Sequence, residues 1–249
     1  MYTKQYRRIR SFRHSGLLGD IIYSLPAVRT VGGGEYFIDH LKENLPGKHA
    51  PLGEEKARLL LPLLESQPYI WKASLYNGER IGYDFDNFRL NQRRINQQHL
   101  AITHWQSIRG RGKLNLLDPW LFVSPKPVAE LVISRSRKHY GNMNWSALLP
   151  FISKCVYVGI ENEYKSFLKE TGLQVGFYKV QDFLELAQVI AGSTCFVGNQ
   201  SLGWAIAEGL KITRFLEVDD KSPNCLPQSK NGFVNINENT LRSLTSFLE

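Results

Sequence analysis

The stretch Thr194–Val218, TCFVGNQSLGWAIAEGLKITRFLEV, decides the fold. Its apolar run Cys195–Gly198 reads as a short strand, Asn199-Gln200-Ser201 as a polar turn, Ser201–Leu210 as a helix, and Thr213–Val218 as the next strand. Ser201 stands where an N-cap hydroxyl accepts from an amide of the first turn. Ala205, Ala207 and Gly209 are small enough to bring the helix close against a sheet. Strand, polar turn and helix in this order place free N–H groups at the carboxyl edge of a parallel sheet. Open α/β sheets bind ligands at that edge, and a helix N-terminus favours anionic groups such as phosphate. An ordinary βαβ connection without a ligand has the same pattern.

Outward from this stretch the alternation continues. Glu130–Ser134, Val156–Ile160 and Val175–Val180 read as strands. Trp145–Ile152, Glu161–Thr171, Gln181–Ala191 and Thr240–Glu249 read as helices. In the first half, Arg8–Arg13 suggests a strand, His14–Asp20 a glycine-bearing loop, Ile21–Thr30 a buried helix kinked at Pro26, and Glu35–Asp39 a second strand. Gly53–Glu65 follows as an amphipathic helix, Tyr69–Leu75 and Ile81–Phe85 as strands, and Gln98–Ile108 as a helix. Leu116–Pro127 holds three prolines and no helical period, which puts the domain boundary there, at 1–124 and 125–249. The expected fold is α/β, with two Rossmann-like domains facing a cleft.

Composition narrows the class. The 249 residues suffice for one large or two small domains, and 43% hydrophobic with 22% charged residues is ordinary for a soluble globular chain. No apolar run approaches a membrane span, and the basic N-terminus lacks the apolar core of a secretory signal, so a cytoplasmic protein is expected. Cys155, Cys195 and Cys225 are odd in number, far apart and without metal-ligand spacing, so neither a disulfide nor a structural zinc is expected. The net charge of +8 is unevenly placed. Lys4, Arg7, Arg8, Arg10 and Arg13 precede the first acid, Arg89–Leu117 has no acid at all, and Arg135, Arg137, Lys138 and His139 form a third cluster. Such asymmetry suits a polyanion, either nucleic acid or an anionic membrane face.

Two segments carry a family resemblance. Ser15–Arg29, SGLLGDIIYSLPAVR, resembles the N-terminal motif of the heptosyltransferase-like glycosyltransferases of family 9, and Phe183–Leu216 is similar to their nucleotide-sugar motif. The resemblance implies a GT-B architecture, with the nucleotide sugar on the C-terminal domain and the acceptor on the N-terminal one. It also implies metal-independent chemistry, with no cofactor beyond the nucleotide sugar as co-substrate. Where the family has an acid in the turn and a His after it, this chain has Gln200 and Ala205, so the donor contacts carry over only in part.

Glycosyl transfer to a hydroxyl requires a base for the acceptor proton and positive or dipolar groups for the departing diphosphate. The resemblance places Asp20 as the base; a helix N-terminal acid satisfying amides is the alternative reading. His14 is a nearby alternative base. The loop residues Ser15, Gly16, Leu18 and Gly19 are placed at the acceptor. Ser134, Arg135, Arg137 and Lys138 are candidates for the phosphates, as are Asn199, Gln200 and Ser201. Glu163 and Glu208 are candidates for sugar or ribose hydroxyls. For the acceptor, the Asn/Gln/Arg run with Arg93 and Arg94 favours DNA, namely a hydroxymethylated pyrimidine such as 5-hydroxymethylcytosine glycosylated in the manner of bacteriophage enzymes. Trp105 or Tyr83 would stack on an extruded base. A lipopolysaccharide or other surface-glycan acceptor at an anionic membrane competes with it, as does a non-catalytic binding module.

Overall fold

Strand and helix alternate into two parallel sheets in the computed structural model, which describes residues 10–42, 50–90 and 97–248. The first sheet contains β1 (Ser11–His14), β2 (Gly34–Ile38), β3 (Ile70–Leu75) and β4 (Tyr83–Asp84), in the order β3-β2-β1-β4. The second contains β5 (Leu131–Ser134), β6 (Cys155–Val158), β7 (Gly176–Tyr178), β8 (Cys195–Asn199), β9 (Thr213–Glu217) and β10 (Gly232–Val234), in the order β10-β9-β8-β5-β6-β7. Every ladder among the described residues is parallel. Counted from its own first strand, the second sheet has the doubly wound order 3-2-1-4-5-6. The first sheet has the opening four strands of the same order. In each, the winding reverses between the first and fourth strands, at β1/β4 and at β5/β8, and the crevice outside those strand ends is where such sheets bind ligands.

The helices are α1 (Leu18–Val31), α2 (Glu54–Glu65), α3 (Leu100–Ser107), α4 (Glu161–Thr171), α5 (Phe183–Ala191), α6 (Leu202–Leu210) and α7 (Glu238–Leu248). Helix α1 runs through Pro26 and ends at Gly32, whose φ of 95° makes the left-handed cap. The segment expected as a helix from Trp145 is instead a 3₁₀ helix, Trp145–Lys154, with Pro150 inside it. Proline lacks the N–H that an α-helical interior needs. The strand β10 has no alternation of its own to announce it.

Period-two alternation divides the second sheet's side chains between two layers. Leu131, Ile133, Cys195, Val197 and Phe215 face an outer core with Trp145, Phe167 and Leu244. Val132, Phe196 and Leu216 face inward, into a core that continues through Trp204 and Leu186 to Ile21, Leu25, Leu60 and Phe12. One apolar core therefore joins the two halves. Helix α1 packs on α6 and α2 on α5, and Gly19 lets the Cβ of Ala205 approach to 4.0 Å of where its own would be. The connecting strand of chain is fastened at the same seam. The amides of Trp120 and Leu121 donate to the Gly209 carbonyl (2.9 and 3.1 Å), and that of Lys126 donates to the Gln188 carbonyl (2.8 Å). Among the described residues no helix is long and apolar enough to cross a membrane.

Candidate functional site

The seam between α1 and α6 opens into a cleft of about 480 Å³ lined by both halves. Leu17, Leu18, Gly19 and Asp20 open α1 on one side; Gln200, Ser201 and Leu202 open α6 on the other. The first intrahelical bonds are Ile21 N–H to Leu17 C=O (3.1 Å) and Ala205 N–H to Ser201 C=O (3.0 Å), so the unsatisfied amides ahead of them belong to the cleft end of each helix. Two positive dipole ends thus converge on one cavity. Lys56, Arg89, Lys138 and His139 add positive or titratable groups to its wall, and Tyr23, Leu52, Leu100, Trp204 and Cys225 add apolar surface.

Asp20 lies at the third position of α1, 9% exposed. Its Oδ2 accepts the Leu17 amide at 3.1 Å and pairs with the Arg89 guanidinium. The loop before it is closed on itself. The Ser15 amide and hydroxyl both donate to Asp86 Oδ1 (2.8 Å each), and the Gly16 amide donates to His14 Nδ1 (2.7 Å). A Cβ on Gly16 would lie 2.3 Å from the His14 ring, so only glycine fits there. Ser15 and Gly16, expected at the acceptor, therefore have their donors occupied by the protein, while Leu18 and Gly19 do line the cleft. Asp84 and Asp86 have the spacing of a DxD motif. Their carboxylates hold Arg13, Lys42 (2.7 Å) and the Ser15 loop.

His14 is corrected from candidate base to structural group. It is fully buried. The Gly16 amide can only donate, so His14 Nδ1 is unprotonated and Nε2 carries the hydrogen. That nitrogen donates to His104 Nε2 (2.9 Å), whose own hydrogen is on Nδ1 and donates to the Leu100 carbonyl (2.8 Å). Both rings are neutral and both acceptor lone pairs are taken. Burial drives His14 well below its ordinary value, with His104 and Arg89 adding to it, and brings His104 to about 4. His99, buried beside Tyr23, falls to about 3, chiefly by burial and then by Lys211. With folded values below the unfolded 6.5, the unfolded chain binds more protons under pH 6.5, so stability is whole above that pH and falls as acid is added. Melting temperature is expected to drop steeply from pH 6.5 to 5, before most carboxylates titrate. The limiting slope is about 1.4 kcal/mol per pH unit for each histidine, or about 4 for the three. A flat thermal-melt profile across that window would show that these rings accept protons in place.

On the α6 side the cap expected of Ser201 is not formed, and its Oγ is buried without a partner. Gln200 lines the cleft while its amide holds the following loop, accepting from Asp219 N–H (2.6 Å) and donating to the Ser222 carbonyl (2.7 Å). Lys138 is exposed in the cleft wall. The other expected donor contacts are placed elsewhere. Asn199 is fully buried and shapes the loop after β5, accepting from Ser136 N–H (2.9 Å) and donating to the Ser136 carbonyl (2.9 Å). Arg135 is clasped by Glu217 through Nε (2.6 Å) and Nη2 (2.8 Å) and by Glu170 (2.6 Å), over the Tyr140 ring. Ser134 lies beneath α6, where a Cβ on Gly203 would meet its Oγ at 2.9 Å. Arg137 and Glu163 border a separate crevice behind Arg135. Glu208 is fully buried in an ion pair with Arg214.

Arg93 and Arg94 lie outside the described residues. The two proposed stacking platforms are not free. Trp105 is 8% exposed, with its Nε1 donating to the Gly112 carbonyl (3.1 Å), and Tyr83 stacks on Phe12 at 5.0 Å. Sequence reasoning missed Arg89, Lys56, Ser136 and His139, along with the cleft wall from Ser222, Asn224 and Cys225. Arg89 and His139 belong to basic clusters visible in the sequence, but nothing local marks which members of a cluster turn inward.

No protein-family model matches the chain, and no curated protein matches it by sequence. Its structure is similar to that of the E. coli ADP-heptose LPS heptosyltransferase II, at 12% identity and a TM-score of 0.58, over 96% of this chain and 98% of that one. It is similar to the glycosyl transferase family 9 structure from Veillonella parvula DSM 2008, at 11% identity and 0.56, over 97% and 89%. It is also similar to an E. coli heptosyltransferase solved with ADP, at 12% identity and 0.53, over 95% and 98%. The chain has a heptosyltransferase-like, compact GT-B fold.

Proposed function

We propose that this chain is a glycosyltransferase that moves a sugar from a nucleoside-diphosphate sugar to a saccharide hydroxyl. The convergence of two helix N-termini on one cleft, with Asp20 in its wall, carries the reading. A diphosphate placed between the helix ends would meet free amides from both, with Lys138, His139 and the Ser201 hydroxyl beside it. Asp20 takes the proton of the acceptor hydroxyl as that oxygen forms its bond to the anomeric carbon. The anomeric C–O bond to the diphosphate breaks, and its electron pair leaves with the nucleoside diphosphate, whose charge the helix ends and cations stabilise.

A saccharide acceptor is favoured over DNA because the similar solved structures are heptosyltransferases and a family 9 glycosyl transferase, and because Trp105 is buried and Tyr83 stacks on Phe12. The test is a screen of nucleotide sugars against a lipopolysaccharide-core oligosaccharide, a hydroxymethylcytosine duplex and an unmodified duplex, with anionic vesicles as a binding control. Transfer to the oligosaccharide supports the proposal. Transfer to the modified duplex, with steeply salt-dependent binding, moves the acceptor to DNA. Nucleotide-sugar binding with neither transfer nor hydrolysis makes the chain a binding module.

Ser201 gives an independent check on the diphosphate position. Ser201→Asp should raise melting temperature, because a carboxylate caps the first turn and complements the dipole, by about 0.5–2 kcal/mol of stability. The same charge should weaken nucleoside-diphosphate binding by about tenfold or more, equivalent to about 1.4 kcal/mol. Unchanged affinity in a calorimetric titration would move the diphosphate away from α6.

A further inference from the structure

Two of the arginines that build this fold, Arg214 and Arg135, are bonded through Nε and both Nη atoms. Arg214 donates from Nε to Glu208 (2.6 Å), from Nη1 to the Ile212 carbonyl (2.8 Å) and from Nη2 to Ser229 (3.1 Å). Arg135 uses Nε, Nη1 and Nη2 on two carboxylates. Arg89 is different. It reaches from the 3₁₀ turn Phe85–Leu90 to Asp20, with the two side chains 12% and 11% exposed. Only its Nη2 is bonded to Asp20, and its Nε is buried with no partner among the described residues. Arg13, held by Asp84, has a buried Nε without a partner as well, so what sets Arg89 apart is the carboxylate it holds.

The surroundings set where this guanidinium sits. It lies 4.7 Å over the Phe88 ring, and Phe88 stacks on His104 at 4.2 Å, within the neutral histidine pair. Asp20 Oδ2 is held from two directions, by Arg89 and by the Leu17 amide, while among the described residues nothing donates to Oδ1. The bond from the Leu17 amide is the ordinary capping use of an acid at the third helical position, and Arg89 is added to the same oxygen. Here one oxygen is pinned and the other is left for a proton.

We propose that Arg89 is the positioning residue of the Asp20 carboxylate, fixing Oδ2 so that Oδ1 faces the acceptor hydroxyl; this rests on the transfer reaction given above. In this role Arg89 acts through Asp20 and not on the donor, so its removal acts on kcat through misplacement of the base. Arg89→Ala should lower kcat by about 10- to 100-fold while KM for the acceptor stays within about threefold. Guanidinium ion below denaturing concentration should restore part of kcat in Arg89→Ala and none in Asp20→Asn, a response that a general loss of structure would not give. Arg89→Gln, which keeps a donor on a shorter stem without the charge, should also lose at least tenfold, and it serves if the alanine variant does not fold. Wild-type kcat in either variant, a loss carried by KM alone, or no guanidinium rescue of a folded Arg89→Ala overturns the proposal. Wild-type protein that transfers no sugar overturns the reaction itself. Active wild type with inactive Asp20→Asn and fully active Arg89→Ala overturns only the role of Arg89.

Discussion

Asp20→Asn is expected to bind the nucleoside diphosphate as the wild type does and to lose turnover by about two orders of magnitude or more, the scale of a missing general base. Asparagine has the same shape, and its amide oxygen still accepts the Leu17 N–H that Asp20 Oδ2 accepts now, so the first turn of α1 keeps its cap. What disappears is the group that accepts a proton. Neither His14 nor His104 can replace it, because their lone pairs are committed to Gly16 and to each other, and burial holds both neutral. Turnover measured beside calorimetric nucleotide binding separates the two effects, and near wild-type turnover would remove Asp20 from the mechanism. A base on the acceptor side also implies direct displacement, so the product should have inverted anomeric configuration. Retention, read from the anomeric coupling of the product, would require a nucleophile that Asp20 does not supply.

Glu208→Ala should be the most destabilising single change considered, at about 3–5 kcal/mol, because it leaves Arg214 charged and unpaired at 0% exposure. Its Oε2 accepts from Arg214 Nε (2.6 Å), and Oε1 accepts from the Gln228 amide (3.2 Å) and pairs with Lys211, whose value burial has already brought down to about 8. Against a typical domain stability of about 5–15 kcal/mol, that is a large fraction. Replacing both partners together, as in Glu208→Leu with Arg214→Met, should recover part of the loss, since no guanidinium is left buried without a carboxylate, although Lys211 still loses its partner. Denaturant titration of the single and double variants measures this directly. A Glu208→Ala protein of unchanged stability that no longer binds the donor would return Glu208 to the sugar-contact role expected from its position on the final stretch.

Whatever depends on near neighbours is legible along the chain. Alternation of Leu131, Val132 and Ile133, the polar turn at Asn199-Gln200-Ser201 and the glycine-bearing loop before Asp20 announce strands, turns and helix starts, because pleat and helical period act over a few residues. For that reason Leu18, Gly19, Asp20, Gln200 and Ser201 are legible as candidate cleft residues, each at or next to a helix start or strand end that topology carries to the carboxyl edge of its sheet, and Lys138 as a member of the loop after β5. The tertiary structure alone decided what each charged or hydrogen-bonding group does there. Asn199 meets Ser136 across 63 positions, Arg135 meets Glu217 across 82, and His14 meets His104 across 90, and each pairing converts a residue type suited to catalysis or phosphate binding into a structural one. Arg89 goes the other way, from an anonymous member of a basic run to the partner of Asp20 across 69 positions. The physical reason is that a buried charge or lone pair must find a partner wherever the packed chain supplies one, and no local pattern encodes which distant residue that will be.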